Sequence, residues 1–304
     1  MRINQLGQSD LHISELSLGC MSLGTNQKHA EGIIHEAIDL GINYLDTADL
    51  YNQGVNEEII GKAIKSKRDD VILATKVGNH LKDDGSWFWD PSKAYIKDQV
   101  KASLQRLQTD YIDLYQLHGG TMEDPIDETI GAFEDLVQEG VIRYYGISSI
   151  RPNVIREYVK KSNIISVMSQ YSILDRRPEE EILPLLEENN ISVVTRGSLA
   201  KGMLSNKASQ LVEQKGQDGF LDYNESELKS TVKELQNILE PNQTLNGLAL
   251  HYVLQSKTVA SSVTGASSIE QLKTNVKALE ETFSDDQLEK VRSIAKQNVY
   301  QNHR

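Results

Sequence analysis

The sequence predicts an α/β protein built as a (β/α)8 barrel. Three observations predict it: short β-rich runs alternate with helical stretches, the runs number eight, and the chain is 304 residues long. Such a barrel typically takes roughly 250 residues and leaves the rest for additions. An open, doubly wound sheet uses the same alternation. It would announce a dinucleotide site with G-x-G-x-x-G after an early strand, and the nearest candidate, Gly19 to Gly24, lacks that spacing.

The elements follow in order. The first run, ELSLG at 15–19, leads into a helical pattern in which Ile33, Ile34, Ala37, Ile38 and Leu40 share one face and Gly41 supplies the stop. INYLD at 42–46 precedes an acid-rich helix near 56–66, and VILATK at 71–76 precedes a helix opening at Pro91-Ser92. That helix carries Ile96, Val100, Leu104 and Leu107 at three- and four-residue spacing. YIDLYQLH at 111–118 comes next, then a helix around 125–139 closed by Gly140. VIRYYGIS at 141–148 is followed by a helix after Arg151-Pro152, and IISVMSQYS at 164–172 by a helix bracketed by Pro178 and Asn190. ISVVTRG at 191–197 opens onto a polar interval, 200–227, read as a long loop, then two helices and the last strand, KTVASSVTG at 257–265. A short N-terminal β-hairpin and extra helices near the C-terminus are expected besides. No linker divides the chain, so 1–304 is expected to form a single domain.

Composition narrows the function classes. The lone Cys20 cannot form an intrachain bridge, so packing must stabilise the chain and an oxidising compartment gains no support. With 32 Lys+Arg against 44 Asp+Glu the formal charge is −12, which argues against a nucleic-acid partner. No stretch approaches the roughly 20 apolar residues of a membrane span, and the first 19 residues carry charges where a signal peptide needs an apolar run. A cytoplasmic protein is expected, with no membrane partner and an oligomeric state left open. The histidines at 12, 29, 35, 80, 251 and 303 show no metal-ligand spacing, so no metal is expected.

In a barrel, the active site lies where the strands end. Asp46 closes INYLD, Lys76 closes VILATK, His118 closes YIDLYQLH, and Tyr51 lies five residues beyond Asp46. Each alone has a bland explanation as a cap, a strand end or a loop residue. Together they place a carboxylate, an ammonium, an imidazole and a phenol at one rim, an arrangement that packing does not require. The set suits proton donation to a developing alkoxide. A phenol of pKa near 10 is a poor donor at neutral pH, and a nearby ammonium makes its ionised form easier to reach. Asp46 can pair with that ammonium, and His118 can orient a carbonyl or share its proton with Tyr51. No redox centre is among them, so a reduction would need a hydride-carrying cofactor.

The run from Asp46 to Tyr51 (DTADLY), with Lys76 and His118 ending the next two strands, resembles the catalytic tetrad of the aldo-keto reductase family. Further segments resemble the family in order: Leu18 to Met21, Gly146 to Ser149, Ser169 to Tyr171, Thr195 to Gly202 and Val263 to Asn275. The resemblance implies a carbonyl reductase taking a small-molecule carbonyl substrate and NADPH, with NADH the lesser choice. A nucleotide-binding sensor or auxiliary subunit is the alternative from another class. By this similarity Asp46, Tyr51, Lys76 and His118 are catalytic. The same similarity places Gly19, Met21 and Asp46 beside the cofactor and gives the nicotinamide amide to Ser148, Ser149 and Gln170. Arg196 stands where many members have a stacked tyrosine, and Gly197, Leu199, Lys201 and Gly202 would follow the pyrophosphate, with the polar stretch beyond Gly202 as a belt. Gly265 and Gln271 replace a lysine and an arginine expected at the 2′-phosphate, leaving Ser267, Ser268 and a helix end, while Asn275 matches an adenine contact. Cys20 is expected in a strand near the cofactor. Gly119-Gly120 would open the rim, and Trp87, Phe88 and Trp89 would serve either as a plug fixing their loop or as an apolar substrate wall.

Overall fold

The computed structural model describes residues 1–82 and 84–304. The chain opens with β1 (Ile3–Gln5) and β2 (His12–Ser14), paired antiparallel as the expected hairpin. Eight parallel strands then close a barrel: β3 (Leu16–Gly19), β4 (Tyr44–Asp46), β5 (Ile72–Val77), and, after the small hairpin of β6 (Asn79–Leu81) and β7 (Trp87–Trp89), β8 (Ile112–Leu117), β9 (Ile142–Ser148), β10 (Ser166–Gln170), β11 (Ser192–Arg196) and β12 (Val259–Gly265). β12 pairs with β3, so the sheet has no edge.

Helices cover the outside: α1 (Gln27–Asp39), α2 (Val55–Ile64), α3 (Lys93–Leu107), α4 (Ile126–Gln138), α5 (Pro152–Lys161) and α6 (Ile182–Glu188) each follow one strand. α7 (Ala208–Lys215), α8 (Glu225–Asn237) and α9 (Leu245–Leu254) separate β11 from β12, and α10 (Ile269–Ala278) and α11 (Asp285–Ile294) complete the chain. Their starts are set locally. Asn26, Ser92, Thr244 and Ser268 each accept a first-turn N–H, and Asn224 and Ser284 form reciprocal capping boxes. Alternation on the strands sends Leu18, Leu45 and Leu73 outward against the helices and Tyr44, Ala74 and Leu114 into the barrel. Each such buried Leu contributes roughly 1.5–3 kcal/mol.

The hairpin closes the N-terminal mouth. Leu6, Leu11 and Ile13 join the interior cluster, and Gly7 turns there with φ +55°, its N–H donating to Ser192 Oγ at 2.8 Å. A Cβ on Gly7 would lie 2.2 Å from the Ile165 carbonyl oxygen, so only glycine fits. With one mouth filled, the strand C-termini form the accessible one.

Three expectations are corrected. The interval 200–227 is not a loop: it holds α7, whose Ala208 and Val212, one turn apart, are buried, and an antiparallel bridge between Phe220 and Tyr223. Two apolar positions in so polar a stretch escape a composition-based reading, although they suffice to dock one short helix. Pro178 belongs to a separate 3₁₀ turn, Arg177–Glu179, and α6 begins only at Ile182. Cys20 lies in a 3₁₀ turn after β3 rather than in a strand.

Candidate active site

Register brings the reactive residues together. Gly19 of β3 faces Asp46 of β4, Asp46 faces Ala74 of β5, and Lys76, one inward position further, faces Gln116 of β8. Asp46, Lys76 and Gln116 are all buried at this level. Lys76 Nζ donates to Asp46 Oδ1 at 2.5 Å and to the Thr47 carbonyl at 2.7 Å, and Gln116 Nε2 donates to Asp46 Oδ2 at 3.3 Å. The chain then turns up through Ala48, whose carbonyl accepts the Tyr51 N–H, and sets the Tyr51 ring with its centroid 5.2 Å from Lys76 Nζ. The His118 imidazole meets Tyr51 edge-on, with centroids 5.9 Å apart and planes at 82°. All four tetrad residues therefore meet at one point of the open mouth.

The protonation states follow from burial and charge. Desolvation opposes the Lys76 ammonium, but Asp46 and then Tyr51 hold it charged beyond its ordinary range. Burial likewise pushes the Asp46 carboxyl up, and Lys76 and Gln116 draw it back. At 2.5 Å, with two further hydrogen bonds, the two exist as an ion pair. His118 goes the other way: burial, then Lys76 and Arg196, depress its pKa to about 3, so the ring is neutral at physiological pH. Its buried Nδ1 has no partner among the described residues. The nearby Cys20 thiol is pushed up by burial and is not an activated nucleophile.

The expected nicotinamide residues end neighbouring strands. Met168 of β10 faces Ser148 of β9, and Gln170 of β10 faces Arg196 of β11. Ser149 is buried and its Oγ accepts the Arg151 N–H, leaving Ser148 as the half-buried serine of the pair. Gln170 is already engaged on both sides: Arg196 Nη1 donates to its Oε1 and its Nε2 donates to Asp175 Oδ2, both at 2.8 Å. Arg177 clamps Asp175 with two bonds of 2.7 Å. No carboxylate among the described residues pairs with Arg196, so its charge stays available at the mouth. Gln116 Oε1 and His118 Nδ1 are buried polar atoms without a partner among the described residues, and beside them the half-buried Ser148 and Gln170 and the exposed Arg196 offer the hydroxyl, amide and guanidinium groups that a nicotinamide amide would need.

The expected phosphate segment is a tight turn. Gly197, Ala200, Lys201 and Gly202 all have positive φ, between 45° and 90°, and the Lys201 ammonium reaches to 5.9 Å from the Phe220 ring centroid. Gly265 pairs with Gly19, and Met21 is exposed in the 3₁₀ turn after Gly19. A Cβ on Gly265 would lie 2.4 Å from Ser22 Oγ, so a side chain at 265 requires the Ser22 hydroxyl to turn aside. Ser268 caps α10. The Ser267 N–H and hydroxyl both reach Gln271 Oε1, at 2.9 and 3.0 Å, and Asn275 is buried beside Asn246. Lys273 is paired with Glu36 at 3.1 Å.

The tryptophan segment divides. Trp87 and Phe88 are exposed, whereas the Trp89 ring packs on Gly78 and Gly119 and donates Nε1–H to Asp124 at 2.8 Å. Trp89 thus borders the glycine that follows His118. Sequence reasoning missed Gln116, although it alternates with His118 on one strand and so had to face inward. It also missed Asp175 and Arg177, for which no local signal exists. Among the described residues no cluster of three or more His, Cys, Asp or Glu could hold a metal, and no helix is long and apolar enough to cross a membrane.

A (β/α)8 barrel with a Tyr–Lys–Asp–His rim defines the class of nicotinamide-dependent oxidoreductases acting on carbonyl groups. A family model described as the aldo/keto reductase family matches residues 15–296, and the chain belongs to that family as an NAD(P)H-dependent reductase. It is 59% identical over the full length of both chains to a Bacillus subtilis protein titled "Uncharacterized oxidoreductase YqkF". It is 32% identical to the NADH-specific methylglyoxal reductase of Escherichia coli, covering 95% of this chain and 97% of that one. Among solved structures, the holo form of aldo-keto reductase AKR11C1 from Bacillus halodurans matches with TM-score 0.93 and 58% identity, over 100% of this chain and 99% of that one. The apo form matches with TM-score 0.85 and 56% identity over the same shares.

Proposed function

We propose that the protein, acting as a single domain over residues 1–304, reduces small aldehydes or ketones to alcohols with NADPH, and that Tyr51 is the proton donor. The observation that carries this reading is the buried Lys76–Asp46 ion pair beneath the Tyr51 ring. A bound reduced nicotinamide supplies the hydride. As the carbonyl oxygen gains negative charge, Tyr51 passes it the phenolic proton, and the Lys76 ammonium stabilises the phenolate left behind. Asp46 keeps that ammonium charged and in place. His118, neutral, donates a hydrogen bond that orients the carbonyl and leaves proton transfer to Tyr51. Ser148 and Gln170 hold the nicotinamide amide, with Ser149 supporting the turn. Gln170 exchanges its bond to Arg196 or Asp175 for the cofactor's. Gly197, Leu199, Lys201 and Gly202 follow the pyrophosphate; Gly19, Met21 and Gly265 flank the cofactor, and Asn275 meets the adenine.

NADPH is preferred over NADH through Ser267, Ser268 and the N-terminus of α10, with Gln271 releasing Ser267 to a phosphate. A cytoplasmic setting suits this activity. The test is a panel of aldehydes and ketones with each reduced cofactor, followed by the loss of near-ultraviolet cofactor absorbance. Turnover of at least one carbonyl class with NADPH supports the reading; tight cofactor binding with no turnover across the panel would contradict it.

A further inference from the structure

We propose that Asp49, which takes no part in the chemistry above, is held as a neutral acid and is the positioning residue that anchors the Tyr51 loop, so that its ionisation sets an alkaline limit on turnover. The inference rests on the reading of Tyr51 as proton donor. Asp49 lies between Asp46 and Tyr51 in the chain and is fully buried. Its N–H donates to the Lys76 carbonyl at 3.3 Å, tying the loop to the strand end that carries the ammonium. Neither carboxyl oxygen has a well-formed hydrogen bond among the described residues.

Counting charges explains the proton. Glu57 of α2, also fully buried, accepts from Thr75 Oγ1 at 2.6 Å and from Arg106 Nε at 2.7 Å. The guanidinium reaches it past Gly54, where a Cβ would lie 2.8 Å from Arg106 Cδ. Two buried carboxylates thus share one cation that is committed to Glu57. The other groups facing Asp49 are uncharged: the Leu50 N–H of its own loop, Gln99 and Tyr95 of α3, and Tyr115 of β8. The Lys76 ammonium is spent on Asp46 and Thr47. A buried carboxylate without a cation retains its proton. Consistently, burial and then Glu57 push Asp49 up to about 8, against the pull of Leu50, Arg106 and Gln99.

The loop needs such an anchor. Immediately after Tyr51, Asn52, Gln53 and Gly54 take φ of 51°, 56° and 88°, and two consecutive non-glycine residues in this region persist only where their surroundings hold them. Ionised Asp49 would set a second buried anion beside Glu57, and their repulsion would lift the anchor and move the phenol from Lys76.

The test compares pH profiles of kcat at saturating cofactor and substrate for the wild type, Asp49→Ala and Asp49→Asn. In the wild type, activity is expected to fall above about pH 8. Asp49→Ala, which keeps the backbone bond to Lys76 but leaves a void where the buried carboxyl packed, is expected to lose about tenfold in kcat with the cofactor KM unchanged, and the neutral isostere Asp49→Asn to restore most of it and move the alkaline limb upward. Identical limbs in the wild type and Asp49→Asn would overturn the inference. Should the variants fail to fold, carbon-13 NMR of carboxyl-labelled aspartate in the wild type decides: a buried carboxyl titrating near pH 8 supports it, and no aspartate protonated at pH 7 overturns it. Absence of turnover in the wild type would count against the proposed reaction instead, while the NMR titration still judges the state of Asp49.

Discussion

The rim formed by β4, β5 and β8 and the corner between β12 and α10, where the proposed function places a phosphate, are built from opposite kinds of polar group. At the rim a carboxylate and an ammonium are fully buried 2.5 Å apart, and every donor on Lys76 that contacts protein has a named acceptor. At the corner Gly265, Ser267 and Gln271 are exposed, and the polar groups are hydroxyls, a side-chain amide and the first N–H groups of a helix. The difference lies in dielectric. An unpaired charge at the rim would cost several kcal/mol, whereas water and salt screen the corner, so that neutral groups would suffice there for the proposed phosphate. Residue identity is therefore strict at one site and permissive at the other.

Four changes would break or sharpen this contrast. The largest effect is expected from Lys76→Met, which takes away the cation that keeps buried Asp46 ionised, so that Asp46 takes up a proton, and removes the charge beneath Tyr51: kcat falls by about a thousandfold and the pH profile shifts, as steady-state kinetics would show. An unchanged profile in an active variant would mean the rim is as tolerant as the corner. Next, kcat/KM should show no acid limb from His118 above pH 5, because burial holds its pKa at about 3. The sign for stability follows. The unfolded histidine takes up its proton near 6.5 and the folded one only near 3, so His118 costs stability as pH falls through that window. In thermal melts between pH 4 and 7 the wild-type Tm should therefore fall relative to that of His118→Gln with rising acidity. An assigned His118 resonance titrating near 6.5 in the folded protein by NMR would refute this.

At the corner the expected effects are smaller. NADPH should bind more tightly than NADH by roughly ten- to a hundredfold, the 1–3 kcal/mol that hydroxyl and helix-end contacts supply. Fluorescence titration at two salt concentrations measures this, and equal affinities would remove the NADP assignment. Smallest of all, Gln271→Lys should strengthen NADPH binding by about threefold to tenfold, and Gly265→Lys should gain less, since its Cβ must first displace Ser22 Oγ, 2.4 Å away. A gain at 265 equal to that at 271 would show that Ser22 yields.

The same contrast decides what could be read from the chain. Asp46, Lys76 and His118 were legible because each ends a β-rich run, and eight such runs closed into a barrel as their count implied. Gln116 was equally legible by alternation but drew no attention as a neutral residue. The Glu57–Arg106 pair joins residues on separate helices, and the clamp of Gln170 by Asp175 and Arg177 depends on a turn with no periodic signal. α7 was hidden because tertiary docking of Ala208 and Val212 outweighs a polar composition.

The most direct measurement is single-turnover hydride transfer in Tyr51→Phe beside the wild type, with cofactor affinity titrated on the same samples. Loss of the phenolic proton alone should leave cofactor Kd within about threefold and slow transfer by about a hundredfold or more. Transfer at near wild-type rate in a folded, cofactor-loaded Tyr51→Phe protein would contradict the assignment of Tyr51 as the proton donor.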